Sequence, residues 1–373
     1  MRIEQIHWAD INQIPGTESA LQHAQLVLCT GGIDVVGKDS VFPTLRKLYP
    51  DADIVSLSTA GEIAGTHVYE QSIIINALQF EKTNIRSVSL ELSDFQNSFD
   101  CGLALADKLR GPSLCHILVI SDGTLANGDE LVKGINQHTD KNVIVTGGLA
   151  ADAGRFTGTL VGLNHTARAG LVVAIGFYGK DLIIKHGSRG GWDEFGPVRE
   201  VTKSQSNKLY SLDHIPALDL YKKFLGEKAS ELPASALLFP LCLKLDNGEV
   251  LVRTILSIDE NEGSMTFAGD VPQGSQVQFM MANFDRLIDG AYVAASESKD
   301  TYSPQWVFLV SCVGRKLVLA HRTEEEIEAV VETLGKQAIY SGFYSNGEIS
   351  PLLESTRCSL HNQTMTITTY VEL

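Results

Sequence analysis

The sequence has no cluster of Lys and Arg, no long apolar run and no CxxC pair of cysteines. Its 30 Lys and Arg residues are outnumbered by 45 Asp and Glu residues, so the formal net charge is −15 with histidine neutral. Nucleic-acid binding normally needs a concentrated basic surface, so this balance argues against a nucleic-acid partner. A transmembrane helix needs about 20 apolar residues, and the lack of such a stretch predicts no membrane association.

The six cysteines stand at positions 29, 101, 115, 242, 312 and 358, mostly within apolar runs. Free cysteine packs in such runs as a small hydrophobe. Thiols without paired spacing are typical of a reducing compartment. Residues 1–16 also lack a basic start followed by an apolar core, so no secretory signal is predicted. We therefore expect a cytoplasmic protein.

Apolar residues make up 44% of the chain, and the 373 residues correspond to about two domains. Short apolar runs alternate with helical patterns in the first half, and such runs predict buried strands. The runs lie at 26–30, 54–59, 73–80, 116–121 and 142–148. A turn near 82–84 predicts an antiparallel pair within this sheet. The predicted fold class is α/β (α+β), with two domains that each contain a mixed sheet and flanking helices.

The domain boundaries follow from changes in composition. Residues 1–25 are predicted to be an N-terminal extension and residues 26–185 a first domain. Residues 186–215 are rich in Gly, Ser and charge, which predicts a linker between domains. Residues 216–373 then form the second domain, in which Asp246-Asn247-Gly248 predicts a hairpin turn. Thr323 and Glu326 have the spacing of a capping box, and the charge run 324–328 is interpreted as a solvated first helical turn.

No pattern of known catalytic chemistry occurs. The sequence contains no HExxH, GxSxG or SxxK motif and no phosphate-binding GxxxxGK[ST] or GxGxxG loop. Cys29, Cys115 and Cys312 lie at or near strand ends, but none has the nearby base that a nucleophilic thiolate needs. A cysteine-dependent enzyme is therefore kept only as a less favoured alternative to a binding protein.

Small polar residues follow several predicted strands, and strand carboxyl ends are where open α/β sheets tend to bind ligands. Each such segment can also be an ordinary turn. The candidate ligand-binding residues of the first half are Ser58, Thr59, Gly61, Glu62, Thr146, Gly147 and Gly148. Those of the second half are Arg315, Tyr344, Ser345, Glu348, His361 and Asn362. Arg315 can hold an anion, but a structural pair with Glu348 is favoured.

Several segments together resemble the FIST family. They are STAGEI at 58–63, TGGLAAD at 146–152, residues 191–197, PALDLY at 216–221, SCVGR at 311–315, GFYSNGEI at 342–349 and LHNQTM at 360–365. Their order is similar to that in proteins with a FIST N domain followed by a FIST C domain. The resemblance implies a sensory module that binds small ligands and signals to a histidine kinase or a cyclic-di-nucleotide signalling enzyme.

A FIST protein of this size looks most like the nitric-oxide-sensing haemoproteins of the family. That resemblance implies non-covalent haem b that binds nitric oxide, and a separately encoded histidine kinase as partner. A haem-free sensor of a small ligand such as an amino acid is the alternative.

Haem needs an axial ligand, most often histidine, in an apolar pocket. His186 follows an apolar run and precedes glycines that we expect to leave room for a planar ligand. Arg189 would then meet a propionate and Trp192 would line the pocket. The opposing interpretation is a linker histidine in water. His361, His321 and His165 are the next candidates for the haem iron.

Overall fold

The computed structural model describes residues 1–11, 19–232, 234–244, 250–351 and 357–373. Within these ranges the helices are α1 Ile33–Val36, α2 Val41–Leu48, α3 Ser98–Leu109, α4 Gly128–His138, α5 Ala217–Leu225, α6 Phe284–Glu297, α7 Val313–Leu319 and α8 Thr323–Leu334. Short 3-10 turns occur at Leu92–Asp94, Gly226–Glu231, Ala234–Leu238 and Ala320–Arg322.

The strands up to the middle of the chain are β1 Arg2–Trp8, β2 Leu26–Gly32, β3 Asp53–Thr59, β4 Glu62–Ala64, β5 His67–Tyr69, β6 Ile73–Gln79, β7 Asn84–Glu91, β8 Leu114–Ser121, β9 Ile144–Leu149, β10 Val161–Leu163, β11 Leu171–Tyr178 and β12 Leu182–Arg189. Those that follow are β13 Asp193–Gln205, β14 Lys208–Leu212, β15 Ile215–Pro216, β16 Leu241–Lys244, β17 Val250–Arg253, β18 Ile255–Asp259, β19 Ser264–Phe267, β20 Gln276–Met281, β21 Trp306–Cys312, β22 Ile339–Ser345, β23 Gly347–Pro351, β24 Cys358–His361 and β25 Met365–Glu372.

The strands form four sheets in the described parts of the chain. Sheet I has the order β1-β6-β2-β3-β10 and sheet II the order β24-β23-β9-β8-β11-β7. Sheet III has the order β12-β25-β21-β22-β4-β5. Sheet IV has the order β17-β16-β20-β13-β14-β19-β18, and β15 pairs with β14. Parallel pairs such as β2 with β3 occur beside antiparallel pairs such as β2 with β6, so the sheets are mixed as predicted.

Sheets II and III each combine strands from both halves of the sequence. In sheet II, β23 pairs with β9. In sheet III, β22 pairs with β4 and β25 pairs with β12. The two halves are thus joined by backbone hydrogen bonds within shared sheets.

Apolar side chains of sheets I, II and III meet in one central core. This core contains Leu57 of sheet I, Phe177 of sheet II, and Trp306, Phe308 and Tyr370 of sheet III. The indole of Trp306 stacks on the ring of Tyr370 at 4.4 Å between centroids. Helices cover the outer faces of the sheets: α1 and α2 pack on sheet I, α3 and α4 on sheet II, and α6 and α8 on sheet III.

Sheet IV has a core of its own, which it forms with α5. Phe279 lies at its centre, in contact with the rings of Tyr221 and Phe224. Helix α5 starts directly after Pro216, and Gly226 caps its end. Residues 193–281 therefore form a separately packed unit that rests against the sheets of the main body.

The predicted fold class is confirmed: helices flank mixed sheets in an α/β arrangement. The predicted strands from residue 26 to 148 are present. The antiparallel pair predicted around the turn near 82–84 is wrong, because β6 lies in sheet I and β7 pairs with β11 in sheet II. Helix α4 is capped by Asn127, whose side chain accepts the amide hydrogen of Glu130. Strands β17 and β18 are separate, although only Thr254 lies between them. The predicted hairpin turn at 246–248 lies outside the described residues.

The predicted N-terminal extension and linker are not irregular segments. Residues 2–8 form β1, which pairs with β6 over seven residues. Residues 186–215, interpreted as a linker, contain the end of β12 followed by β13, β14 and β15. The many Gly and Ser residues hide the alternation of apolar and polar residues that is typical of a strand. The structure shows these strands through their partners: β12, for example, pairs with β25 over eight residues. The domain boundaries themselves stay a prediction.

No helix in the described ranges combines the length and the apolarity that crossing a membrane requires.

A substitution at Gly147 tests how tightly sheet II is packed. Its φ is +148°, and an added Cβ atom would lie 1.9 Å from the carbonyl oxygen of Val119 in the neighbouring strand. We expect Gly147→Ala to lower the free energy of unfolding by about 3 kcal/mol or more, since backbone strain and overpacking add. The control is Gly158→Ala, because an added Cβ there meets no atom within 4 Å. Chemical denaturation of both variants measures the difference, and equal stabilities would contradict the packing described here.

Candidate functional site

The predicted ligand-binding residues of the first half are buried, and some of them form hydrogen bonds with each other. Ser58 and Thr59 end β3, and Thr59 donates its hydroxyl hydrogen to Glu62 Oε1 at 2.6 Å. Ser72 Oγ lies 3.4 Å from the other oxygen of Glu62. Burial raises the pKa of Glu62 to about 7. Gly61 meets the second half through its carbonyl oxygen, which accepts the amide hydrogen of Tyr344.

The amides of Gly147 and Gly148 do not face a ligand. These glycines lie opposite Ile349 and Glu348 in the pairing of β9 with β23. Thr146 is equally enclosed, with its hydroxyl 2.9 Å from that of Thr368. The predicted Gly-bearing strand ends therefore form the seam between the two halves, and the pockets predicted separately for each half do not form at these residues.

Arg315 pairs with Glu326, and the predicted pair with Glu348 is wrong. Its Nε and Nη2 donate to Glu326 Oε2 at 3.0 and 2.7 Å, and both side chains have no exposed surface. The same guanidinium donates to the carbonyl oxygens of Gly190 and Leu287. With its donors engaged by the protein, Arg315 has a structural role.

Two further predictions about Glu326 are wrong: its place in a capping box with Thr323 and its place in a solvated helical turn. It is neither a capping residue nor part of a solvated turn, because it points inward and accepts hydrogen bonds from Ser311 and Tyr344 at 2.9 and 2.7 Å. The hydroxyl of Thr323 instead donates to backbone carbonyls of the preceding turn. The partners of Glu326 are Ser311, Arg315 and Tyr344. The sequence alone does not show that the middle residue of the charge run is buried among them.

Glu348 is held in a second buried cluster. Ser345 donates to its Oε1 at 2.7 Å, and the amide and hydroxyl of Thr364 donate to its Oε2 at 3.1 and 2.8 Å. Burial raises the pKa of Glu348 to about 8, against the effect of these hydrogen bonds and of Arg315. The carboxyl group therefore binds a proton more tightly in the folded protein than in the unfolded chain.

His361 and Asn362 also make internal contacts. His361 Nε2 lies 3.0 Å from the carbonyl oxygen of Ser350, and burial lowers the pKa of its imidazole to about 4. Asn362 donates to the carbonyl of His361, while its Oδ1 is buried without a partner in the described structure.

The surroundings of His186 do not fit a haem. The glycines that follow it were predicted to leave room for a planar ligand, and this prediction is wrong, because helix α6 occupies that space. A Cβ atom on Gly187 would lie 2.0 Å from the carbonyl oxygen of Ala294, and one on Gly191 would lie 2.0 Å from that of Arg286. His186 itself stands in strand β12, with a buried Nδ1 and a pKa lowered by burial.

Arg189 and Trp192, the other two predicted haem contacts, are also engaged by other parts of the protein. Arg189 pairs with Glu297 of α6 at 2.6 Å. Trp192 is buried and donates to the carbonyl oxygen of Gln363 at 2.9 Å. Of the remaining candidates, His165 contacts the carbonyl of Thr166 and His321 is exposed in a short turn. Among the described residues, no group of three or more His, Cys, Asp or Glu side chains is arranged to hold a metal ion.

A cavity of about 340 Å³ lies where sheet IV meets sheet II. We call it the junction cavity. Its lining residues are Gly123, Thr124, Leu125, Ala126, Asn127, Gly128, Leu149, Phe156, Asn207, Leu256, Phe267, Ala268, Gly269, Asn346 and Leu360. The first wall contains the loop after β8 and the start of α4, and the second contains the end of β19. Cavities of this size commonly bind small molecules.

Asn346 lines the junction cavity, but its carboxamide is enclosed by protein. The residue stands between β22 and β23 with only 9% of its surface exposed. Neither Oδ1 nor Nδ2 has a hydrogen-bond partner in the described structure, and neither atom is accessible from the cavity. The polar groups available at the cavity wall therefore come from other lining residues, such as Thr124, Asn127 and Asn207.

A buried ion pair fixes the two walls beside the cavity. Arg253 of sheet IV donates from Nη2 to both oxygens of Asp129 in α4, at 3.1 and 3.0 Å. Its Nη1 donates to the carbonyl of Leu360, and the amide of Asp270 donates to Asp129 at 2.6 Å. Gly128, next to Asp129, has no space for a side chain, because a Cβ atom would lie 2.9 Å from Leu360.

Sequence reasoning missed the junction cavity by one residue at three places. Leu149, Asn346 and Leu360 line it, whereas the predicted residues were their neighbours Gly148, Ser345 and His361. The loop at 123–128 carried one available indication in its sequence, because Gly123, Asn127 and Gly128 surround a helix start at the carboxyl end of a central strand.

These features define an α/β protein in which both halves of the chain contribute to one cavity. Residues 25–215 match the FIST N domain and residues 217–351 match the FIST C domain. The chain therefore belongs to the FIST family, whose domains are sensory domains of signal transduction that bind small ligands. No match to a protein of curated function was found.

The buried carboxyl of Glu348 predicts a dependence of stability on pH. Its folded-state pKa of about 8 lies above its ordinary value of 4.5, so the folded protein keeps a proton that the unfolded chain releases. The stabilisation is complete below about pH 4.5 and is lost as the pH rises through about 8, at up to about 1.4 kcal/mol per pH unit. Glu348→Gln should remove this part of the decline, because an amide is neutral at every pH.

The measurement is the free energy of unfolding of the wild type and of Glu348→Gln between pH 5 and pH 8. A Gln side chain can donate to Ser345, whose hydroxyl already lies 3.2 Å from the carbonyl oxygen of Ser311. The exposed Glu91→Gln, at an ion pair with Arg168, is the control. An unchanged pH profile in Glu348→Gln would contradict the raised pKa.

Proposed function

We propose that this protein is a haem-free sensor that binds a small molecule in the junction cavity. The observation that carries the proposal is a cavity of about 340 Å³ whose lining combines residues of both FIST domains, such as Asn127 and Ala268. A ligand there would contact both domains at once. Sensing follows if the ligand binds the closed junction better than an opened one.

Haem b and nitric oxide are the competing ligands that the sequence resemblance implied. The packing of α6 against Gly187 and Gly191 argues against haem at His186, which supports the haem-free alternative. A small ligand such as an amino acid is the alternative to haem. A histidine kinase or a cyclic-di-nucleotide signalling enzyme is the proposed partner, and the cytoplasm is the proposed location.

The proposal does not include catalysis. Burial raises the pKa of Cys115, and it raises those of Cys29 and Cys312 far above the ordinary value for a thiol. Thiols of this kind are poor nucleophiles. A cysteine-dependent enzyme is therefore not supported by the setting of these residues.

Filling the cavity tests the proposed site. Ala268 and Ala126 lie on opposite walls, and a Trp at either position would occupy the space. We expect a set of cellular metabolites to include one that raises the melting temperature of the wild type by roughly 4 °C or more at 100 times its Kd. The same compound should not stabilise Ala268→Trp or Ala126→Trp.

The control is Ala104→Trp, because Ala104 is half-buried in α3 and away from the cavity. It should respond to the compound as the wild type does. Stabilisation that survives in both cavity-filling variants would show that the ligand binds elsewhere and would overturn the proposed site.

The absorption spectrum distinguishes the proposed haem-free sensor from a haem-based sensor of nitric oxide. We expect protein purified from cells supplied with a haem precursor to show no stoichiometric Soret band. A Soret band that shifts with nitric oxide would refute the haem-free proposal. If His186→Ala then removed that band, His186 would be the axial ligand despite its packing.

A further inference from the structure

Helix α6, which covers the outer face of sheet III, has an unusual distribution of apolar side chains. A helix on a sheet normally turns its large apolar residues inward and its polar residues outward. Four of the five buried positions of α6 hold only Gly or Ala, whereas Phe284, Tyr292 and Val293 are 45%, 54% and 38% exposed. The described helices α1–α5 carry no exposed large apolar side chain. The outward face of α6 is therefore suited to contact another molecule.

A groove of about 440 Å³ lies along this face, between α6 and α8. We call it the α6–α8 groove. Ile288 and Tyr292 line it from α6, and Ala329 and Thr333 line it from α8. Each pair is four residues apart, so its members lie on one face of their helix, one turn above the other. Two side-chain ridges of this kind form a groove into which a further helix packs.

The α6–α8 groove lies in a strongly acidic part of the surface. The two helices together contain eight Asp or Glu residues and one Arg, although Glu326 among them is buried. Asp289 and Glu332 line the groove from opposite helices, and Lys299 lies at it as a cation. No ion pair among the described residues involves Asp289 or Glu332. Both carboxylates are therefore free to face charges on a partner.

Charge determines which occupant fits the groove. A second copy of this chain would bring the same acidic helices against it, and like charges across an interface oppose binding. Unpaired carboxylates beside an apolar groove favour a cationic partner instead. A helix with apolar residues on one face, and with Lys or Arg beside them, satisfies both features.

We propose that the α6–α8 groove binds an amphipathic helix of a protein partner, with an apolar stripe flanked by Lys and Arg. The stripe packs on Ile288, Tyr292 and Ala329, and the cations face Asp289 and Glu332. The groove shares no lining residue with the junction cavity. The inference thus goes beyond the proposed ligand site and does not depend on it.

The probe is a synthetic peptide of two Leu-Lys-Lys-Leu-Leu-Lys-Leu repeats, which places leucines on one face of a helix and lysines on the other. One comparison peptide has Glu in place of every Lys, and a second has the same composition in an order without an apolar helical face. Fluorescence anisotropy of each labelled peptide with the full chain measures affinity. We expect the Lys peptide to bind, less tightly as ionic strength rises, and each comparison peptide to bind about tenfold more weakly or not at all.

Two variants test the walls of the groove. Tyr292→Gln removes the aromatic ring and should weaken binding of the Lys peptide about tenfold or more, because buried Tyr side chains often dominate an interface. The double variant Asp289→Asn with Glu332→Gln keeps the side-chain shapes and removes two charges. It should weaken binding about threefold or more and reduce the dependence on ionic strength.

Ile215→Gln and Asp219→Asn are the matched controls. Ile215 is 43% exposed in β15, and Asp219 is exposed in α5, so both lie in the unit of sheet IV and away from the groove. Each should bind the Lys peptide as the wild type does. All of the substituted side chains are exposed, so we expect every variant to keep the melting temperature of the wild type.

Several results would overturn the proposal. They are no binding of the Lys peptide, equal binding of the Glu peptide, and binding that is unchanged in both groove variants. Sedimentation tests the rival occupant: a wild-type dimer that dissociates in Tyr292→Gln would show that a second copy covers the groove. The proposed function is tested separately by the cavity-filling variants, so failure of one does not decide the other.

Discussion

The pairing of β23 with β9 is the constraint on which the rest of the molecule depends. It brings Gly347, Glu348 and Ile349 of the second half opposite Leu149, Gly148 and Gly147 of the first. Because β23 follows β22 after a single residue, the same pairing places Asn346 where the chain passes from sheet III to sheet II. Sheet IV then closes over this edge through the ion pair of Arg253 with Asp129. The junction cavity is a consequence of that closure.

Burial explains why so many polar residues at strand ends are structural. A carboxyl group inside the protein must receive hydrogen bonds or a proton. Glu326 receives an arginine and two hydroxyl groups, whereas Glu348 receives hydroxyl and amide donors and has its pKa raised to about 8. Residues of these types at strand ends resemble a ligand site in the sequence.

Local patterns predicted the elements well, and long-range pairing limited the rest. Apolar runs located the strands of the first half, and Asn127 located the start of α4, because these depend on neighbours in sequence. The strands at 182–212 were missed, since their partners lie far away in the chain, as β25 does for β12. Glycines 187 and 191 allow either a ligand or a helix to approach closely, and only the fold shows that α6 does so.

The three one-residue errors at the cavity have a common geometric origin. Successive side chains of a strand face opposite sides of its sheet, so a motif marks a strand end without showing which of two neighbours faces a cavity. Gly148, Ser345 and His361 take part in the buried seam, while Leu149, Asn346 and Leu360 line the opening toward sheet IV. Residues that hold the halves together thus alternate with residues available to a ligand. In the proposed function, a ligand contacts both walls, so its binding free energy would stabilise the junction in which the walls are in contact.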